Sequence, residues 1–393
     1  MSHEYVIVSA TRTPIGKFGG SLKDISSGEL ASIVIDEAIQ RANISPDMIN
    51  ETIFGEVRQS SESSNVARVA SLRAGIPNNS TAYTVNRLCA SGMQAIVSSV
   101  QHLAFNPEHI VIAGGVENMS RAPIYLRNSR FGEGTPFLVD SNIEVGQQPK
   151  EIYGKDLGMG LTAENVAEFY EVSRENQDEF ALESQKRTLQ AIKKGKFKNQ
   201  IVPVEIKSKK ETFTFNTDEH PRETSIEKLS NLKPVFKKDG TVTAGNSCGR
   251  NDGASALTIM TKKKAEQLSL KPLAKIVNWE TTGVDPRYMG IGPVSAIENL
   301  LRKTNLSLQD IGLIELNEAF ASQSLAVIRE ANLDIEKVNV NGGAIALGHP
   351  LGATGSVITV KLLYEMIERQ TQFGISTLCI GGGQGMALLL ELV

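Results

Sequence analysis

Two stretches of this chain recur more than half its length further on, and a repeat at that distance restricts the fold more than any single motif does. Ser45-Pro-Asp-Met-Ile49, with a strand ending at Gly55, resembles Ser307-Leu-Gln-Asp-Ile311, with a strand ending at Asn317. Val111-Ile-Ala-Gly-Gly-Val-Glu-Asn-Met119 resembles Leu378-Cys-Ile-Gly-Gly-Gly-Gln-Gly-Met386. The order and spacing are kept, so the first and last thirds are expected to be divergent copies of one βα unit.

Local patterns support an α/β chain. Short, mostly apolar runs predict strands at Tyr5–Ala10, Thr52–Gly55, Ile110–Ala113, Ile201–Ile206, Leu257–Met260, Ala274–Val277, Leu313–Leu316, Thr377–Ile380 and Ala387–Leu392. Helical spacing predicts helices at Gly28–Arg41, Gly92–Phe105, Ser173–Lys194, Pro293–Thr304, Ala319–Ala331 and Gly355–Arg369. Between the copies, from Ser120 to about Gly240, charge and turn signals rise, as expected of an insertion that covers the core. The basic run Lys193 to Lys198 reads as a solvated helix end, with a phosphate contact as the alternative.

A length of 393 residues, with 40% hydrophobic and 22% charged, suits an ordinary soluble globular protein. The net charge of -3 excludes the basic excess of a dedicated nucleic-acid surface. The first residues have no basic region followed by an apolar one, and no apolar run approaches ~18 residues. A cytoplasmic enzyme without a membrane span is therefore expected. The three cysteines, Cys89, Cys248 and Cys379, show no C-x-x-C spacing, so no structural metal and no disulfide framework is expected.

Three places carry chemistry. Asn341 to Gly355 sets five glycines around His349. Such a backbone can take positive φ and lets other groups come close, so the imidazole can face a reacting centre. Cys89 precedes a buried helix, where the helix dipole would lower its pKa and free backbone N–H groups would receive an oxyanion. The small neighbours Ala90, Ser91 and Gly92 would let a carbonyl approach. The plainer alternative is a cysteine that only fills space. Cys379 ends a strand before Gly381-Gly-Gly-Gln-Gly385, next to a cleft with exposed amides; a phosphate-cradling loop competes, but it lacks the Lys-Ser/Thr of a P-loop. Asn317 either caps a helix or holds a water beside an imidazole. Glu318 either orients a histidine or sits in a first helical turn.

Taken in order, these motifs resemble the thiolase family almost end to end. The matching elements are Ser9-Ala-Thr-Arg-Thr-Pro-Ile-Gly16, Asn86-Arg-Leu-Cys-Ala-Ser-Gly92, Gly114-Gly-Val-Glu-Asn-Met-Ser120, Thr162-Ala-Glu-Asn165, Asn251-Asp-Gly-Ala254, Met289-Gly-Ile-Gly-Pro293, Asn317-Glu-Ala-Phe320, the His349 loop and Cys379 to Gly385. The resemblance implies a five-layer α-β-α-β-α thiolase fold. One half would comprise 1–119 and 241–269, the other 270–393, with 120–240 forming a loop domain for tetramerisation and CoA binding. It also implies a homo-oligomer, dimer or tetramer, with Ser120–Val139 at the tetramerisation loop.

The same resemblance implies the roles. Cys89 is the nucleophile. His349 activates it and, with a water on Asn317, makes one oxyanion hole, while the amides of Cys89 and Gly381 make the other. Cys379 handles the α-proton. Arg222, Ser247, Cys248, Met159, Met289 and Phe320 match positions around CoA and the acyl group. CoA thioesters are substrates, and no metal or resident cofactor is implied. Two residues depart from many short-chain members: Gly158 stands where they carry histidine, and Cys248 where they carry serine. The expected activity is reversible condensation of two acetyl-CoA to acetoacetyl-CoA and CoA. The alternatives are a degradative 3-ketoacyl-CoA thiolase of broader chain length and a non-catalytic acyl-CoA-binding protein on the same scaffold.

Overall fold

The computed structural model describes residues 3–132, 134–143, 146–154, 157–207 and 212–393. Its frame is a ten-stranded sheet. The main strands are β1 (Tyr5–Arg12), β2 (Glu51–Gly55), β3 (Thr81–Val85), β4 (Ile110–Asn118), β5 (Asn251–Thr261), β6 (Ala274–Gly283), β7 (Leu313–Leu316), β8 (Phe373–Ile380) and β9 (Gln384–Leu392). The helices used below are α1 (Ser27–Arg41), α2 (Val66–Arg73), α3 (Ser91–Phe105), α4 (Met159–Phe169), α5 (Arg174–Lys193), α6 (Gly292–Thr304), α7 (Ala321–Glu330) and α8 (Leu351–Arg369).

Strand directions show the duplication. In the first half β1 lies antiparallel to β5, β5 antiparallel to β4, and β4 parallel to β2, which is parallel to β3. In the second half β6 lies antiparallel to β9, β9 antiparallel to β8, and β8 parallel to β7, which meets Val338 in a parallel bridge. Even the bulges correspond, at Ile7/Ser9 and at Ile276/Asn278. The halves meet where Tyr5 pairs with Ile276. One of the two sequence matches is not a match in position. Gly114 and Gly115 lie inside the continuous strand β4, beside Phe54 and Gly55, whereas Gly381 to Gly383 form the turn between β8 and β9.

Five layers follow from where the apolar side chains go. α1 and α2 cover the first half-sheet with one core cluster, and α6 and α7 cover the second with another. Between them lie α3 and α8, sharing a third cluster with residues of both halves. With helices on both sides, β4 and β5 are buried at every residue, the polar Asp252, Ser255 and Thr258 of β5 included. The central helices touch almost backbone to backbone. A Cβ on Gly92 would come within 2.6 Å of Ser356 Oγ, and one on Gly355 within 2.5 Å of Met93 N. Gly92 thus serves helix packing rather than the approach of a carbonyl.

The intervening segment supplies α4 and α5, which pack on α7. It is clamped to β1 by a buried ion pair, Arg12 Nη1 to Asp218 Oδ1 at 2.7 Å. Some boundaries differ from expectation for local reasons. The helix expected from Ala319 starts at Ala321, because Cys248 N donates to Ala319 O and Ala321 N to Asn246 O, tying that stretch into a short ladder. The strand expected at Ile201–Ile206 begins at Val204, since Gln200 and Val202 bond the Arg12 backbone instead. No described helix is long and apolar enough to cross a membrane.

Candidate active site

Cys89 sits in a tight knot between β3 and α3. Ser91 Oγ accepts from Arg87 N at 2.9 Å and donates to Leu88 O at 2.7 Å, while Leu88 N donates to Asn86 Oδ1 at 2.9 Å. These bonds hold Leu88 at φ 47°, a left-handed conformation that a leucine adopts only when its surroundings impose it. The result is a half-buried sulfur aimed at the turn after β8. The backbone N–H groups of Gly381 and of Cys89 itself both face that sulfur. The turn fits closely: a Cβ on Gly381 would lie 2.4 Å from Gln147 Oε1 and 3.2 Å from Leu88 Cδ1.

Burial pushes the Cys89 thiol above its ordinary value, and the two N–H groups and Arg58 only oppose this. The site therefore does not give the expected lowering: the loss of water raises the thiol more than the two N–H groups lower it. Cys379, buried at the end of β8, is pushed well above its ordinary value by burial and by the neighbouring Cys89 and Cys248. Cys248 is pushed up to about 12, again chiefly by burial. The charge of Cys89 bears on Cys248 and Cys379, and that of Cys248 on Cys379, so residues remote in sequence share one pocket. Around Cys379 pack Met289, Phe320, Ala319, Ala163 and Val242, with Met159 at the edge. Gly158, just before α4, adds no side chain there.

His349 is buried, and burial lowers its pKa to about 4, so the ring is neutral. Its backbone N donates to Asn251 Oδ1 at 3.0 Å. Its Nδ1 lies 2.6 Å from Thr354 Oγ1. Asn317 follows β7, and its amide oxygen and nitrogen are both buried without a protein partner. It caps nothing; α7 starts without a side-chain cap. Asn317, Thr354, Gly348, Glu315 and Lys361 line one small cavity with about 10 Å³ of room, roughly enough for a single water. Glu318 takes neither expected part. Its carboxylate accepts from Ser184 Oγ at 2.6 Å, Asn339 Nδ2 at 2.9 Å and Ile345 N at 3.2 Å, so it anchors the loop leading to His349.

The remaining expected contacts lie further out. Arg222 is exposed, with Nη1 3.3 Å from His220 Nε2 and its backbone N donating to Gln185 Oε1. The His220 ring in turn packs on Gly249, beside Cys248. Ser247 spends its hydroxyl on Thr243 O at 2.7 Å. Lys196 pairs with Glu365 and Glu368, which fits the solvated helix end. A larger cleft, about 250 Å³, opens between α5 and α7 over Glu318, and none of the three cysteines lines it. Among the described residues no group of three or more His, Cys, Asp or Glu is placed to hold a metal ion.

The family models of the thiolase N-terminal and C-terminal domains match residues 5–263 and 270–392. The chain belongs to the thiolase family. It is 48% identical to the acetyl-CoA acetyltransferase of Syntrophomonas wolfei, each chain being covered in full. The crystal structure of the Bacillus anthracis acetyl-CoA acetyltransferase aligns with TM-score 0.96 at 47% identity, covering 100% of this chain and 99% of that one. Human mitochondrial 3-ketoacyl-CoA thiolase in complex with CoA aligns with TM-score 0.93 at 43% identity, covering 100% and 98%. Both structures share this chain's fold over nearly their whole length. Sequence reasoning gave no part to Thr354, Asn251, Glu117 or Lys361. Asn251, Thr354 and Glu117, whose carboxylate accepts from Gly352 N, lie inside matching motifs, and for Lys361 the only signal was a lysine between Val360 and Leu362.

Proposed function

We propose that this thiolase joins two acetyl-CoA into acetoacetyl-CoA and CoA, reversibly, through an acetyl group held on Cys89. The observation that carries this reading is one sulfur facing two backbone N–H groups, with a second sulfur in the same pocket. In the first half-reaction His349 Nε2 takes the Cys89 proton and the sulfur attacks the thioester carbonyl. The oxyanion settles on the N–H groups of Cys89 and Gly381. Cys379 gives its proton to the departing CoA sulfur. The enzyme is left with acetyl-Cys89, an imidazolium and a Cys379 thiolate.

In the second half-reaction the Cys379 thiolate removes an α-proton from a new acetyl-CoA. The carbanion attacks acetyl-Cys89 and forms the carbon–carbon bond. A water on Asn317 and the protonated Nε2 hold the enolate oxygen of that acetyl-CoA, the tetrahedral oxyanion again rests on the N–H groups of Cys89 and Gly381, and His349 then returns the proton to Cys89. Every proton taken is given back, so the cycle needs no external acid or base. Covalent catalysis of this kind splits one hard exchange into two easier ones.

The similarity to acetyl-CoA acetyltransferases over the whole chain favours a short substrate. Gly158 supports the second reading, a degradative thiolase of broader chain length, because it leaves room beside Met159. Specificity measured over a ladder of 3-ketoacyl-CoA lengths decides between them: a sharp fall in kcat/KM beyond four carbons supports the first reading, and a flat profile supports the second. The full reacting set argues against a non-catalytic CoA binder. We also assign a homo-oligomer working in the cytoplasm. The strand pair Ile124–Arg127 and Phe137–Asp140, with Ile124, Leu126, Phe137 and Leu138 exposed, supports the oligomer. Its state is read by sedimentation.

A further inference from the structure

One buried ion pair lies behind the reacting groups. Lys361 Nζ donates to Glu315 Oε2 at 2.8 Å and to Gly342 O at 2.8 Å. The two side chains are only 3% and 5% exposed. Burying such a pair is a poor route to stability, because taking two charges out of water cancels most of their attraction, and a well-packed apolar pair does as well or better. What charge-assisted bonds add is direction, which packing alone does not impose.

Each partner is in register with one support of the chemistry. Glu315 and Asn317 stand two residues apart at the end of β7, where an extended chain turns alternate side chains to one face. Lys361 and Thr354 stand seven apart on α8, two turns along the same helix face. Thr354 in turn holds His349 Nδ1. All four residues line the same small cavity. The second bond of Lys361 reaches the glycine loop that leads to His349. The ion pair thus ties three separate pieces of chain together: the end of β7, the glycine loop and α8.

We infer that Lys361 and Glu315 are positioning residues, which fix the Asn317 amide and the His349 ring relative to one another and so set the rate of both half-reactions. This rests on the roles proposed above for Asn317 and His349. Removing one partner strands a charge and confounds the test, so both are replaced: Lys361→Met with Glu315→Leu. Three quantities are read: Tm, KM for acetyl-CoA, and the single-turnover rate of Cys89 acetylation followed by mass. The expected result is a wild-type Tm and a KM within about two-fold, with acetylation and condensation both slowed by ~10–100-fold, the scale on which misplacement of reacting groups acts. Should the apolar pair not fold, Lys361→Gln with Glu315→Gln carries the same test, with a several-fold fall at unchanged KM. Wild-type rates in either folded variant overturn the inference. If wild-type protein itself fails to take an acetyl group on Cys89, the functional reading has failed and the inference falls with it.

Discussion

His349 presents Nδ1 to the Thr354 hydroxyl at 2.6 Å, and that hydroxyl also donates to Pro350 O at 2.9 Å. A hydroxyl has one hydrogen. If Pro350 receives it, Nδ1 must carry the proton and Nε2 keeps its lone pair for Cys89. Thr354→Val removes the acceptor and frees the ring to take the wrong tautomer. We expect kcat to fall by ~10–100-fold, as for other partners that orient a histidine, with little change in KM. Thr354→Ser should retain most activity. Equal loss in the serine and valine variants would show that the methyl, not the hydroxyl, matters.

Asn317 separates stability from activity. Its buried amide has no protein partner for either polar atom. Asn317→Ala thus breaks no hydrogen bond to the protein, and it should melt no lower than wild type. The same change removes a donor for the oxyanion in the condensation step, and losses there run at ~10²–10³ in kcat. Melting curves and steady-state rates on one preparation read both. A large drop in Tm would mean that the amide has a structural partner.

The resting charge state sets how Cys89 reacts with pH. Burial raises the thiol and lowers His349 to about 4, so both are neutral between those values. Alkylation of the free enzyme by iodoacetamide should therefore climb with pH toward and past the ordinary thiol range, without a plateau between pH 6 and 8. A flat, fast rate across that interval would reveal a preformed thiolate–imidazolium pair.

Glu56 makes stability depend on pH. Burial, and then the charge of Glu117, raise its carboxyl from 4.5 to about 8. A carboxyl raised on folding contributes stability that is complete below 4.5 and is lost as pH rises through about 8, because the unfolded chain releases the proton earlier. Glu56→Gln imitates the protonated form. Its unfolding free energy should fall less steeply than wild type's between pH 5 and 8, by up to about 1.4 kcal/mol per pH unit. Parallel denaturant-derived curves for the two proteins would refute this.

Much of the scaffold could be read from residue patterns because burial dictates them. β7 matches its expected bounds, and α1, α3 and α6 fall within one residue of theirs. β3 was not foreseen: Thr81 to Val85 lies at the sheet edge, half exposed, so its side chains alternate weakly. α4 was also missed, because it follows Gly158, which offers no capping side chain. The residues proposed to react were picked out by motifs, and their electrostatics were not. The rise of the Cys89 thiol depends on how completely the fold excludes water, which no local pattern around Asn86 to Gly92 contains. Likewise Lys361 and Glu315 reveal their pairing only once α8 is laid against β7.

The division of labour between two sulfurs is the core of this account. The most direct test is peptide mass analysis after brief exposure to acetyl-CoA, run on wild type, Cys89→Ala and Cys379→Ala. CoA thiolate is a good leaving group, so acetylation should survive the loss of Cys379. We expect one acetyl group on Cys89 that persists in Cys379→Ala, which makes no acetoacetyl-CoA, and none in Cys89→Ala. Acetyl found on Cys379 or Cys248 in wild type, or carbon–carbon bond formation at the wild-type rate in Cys379→Ala, would contradict it.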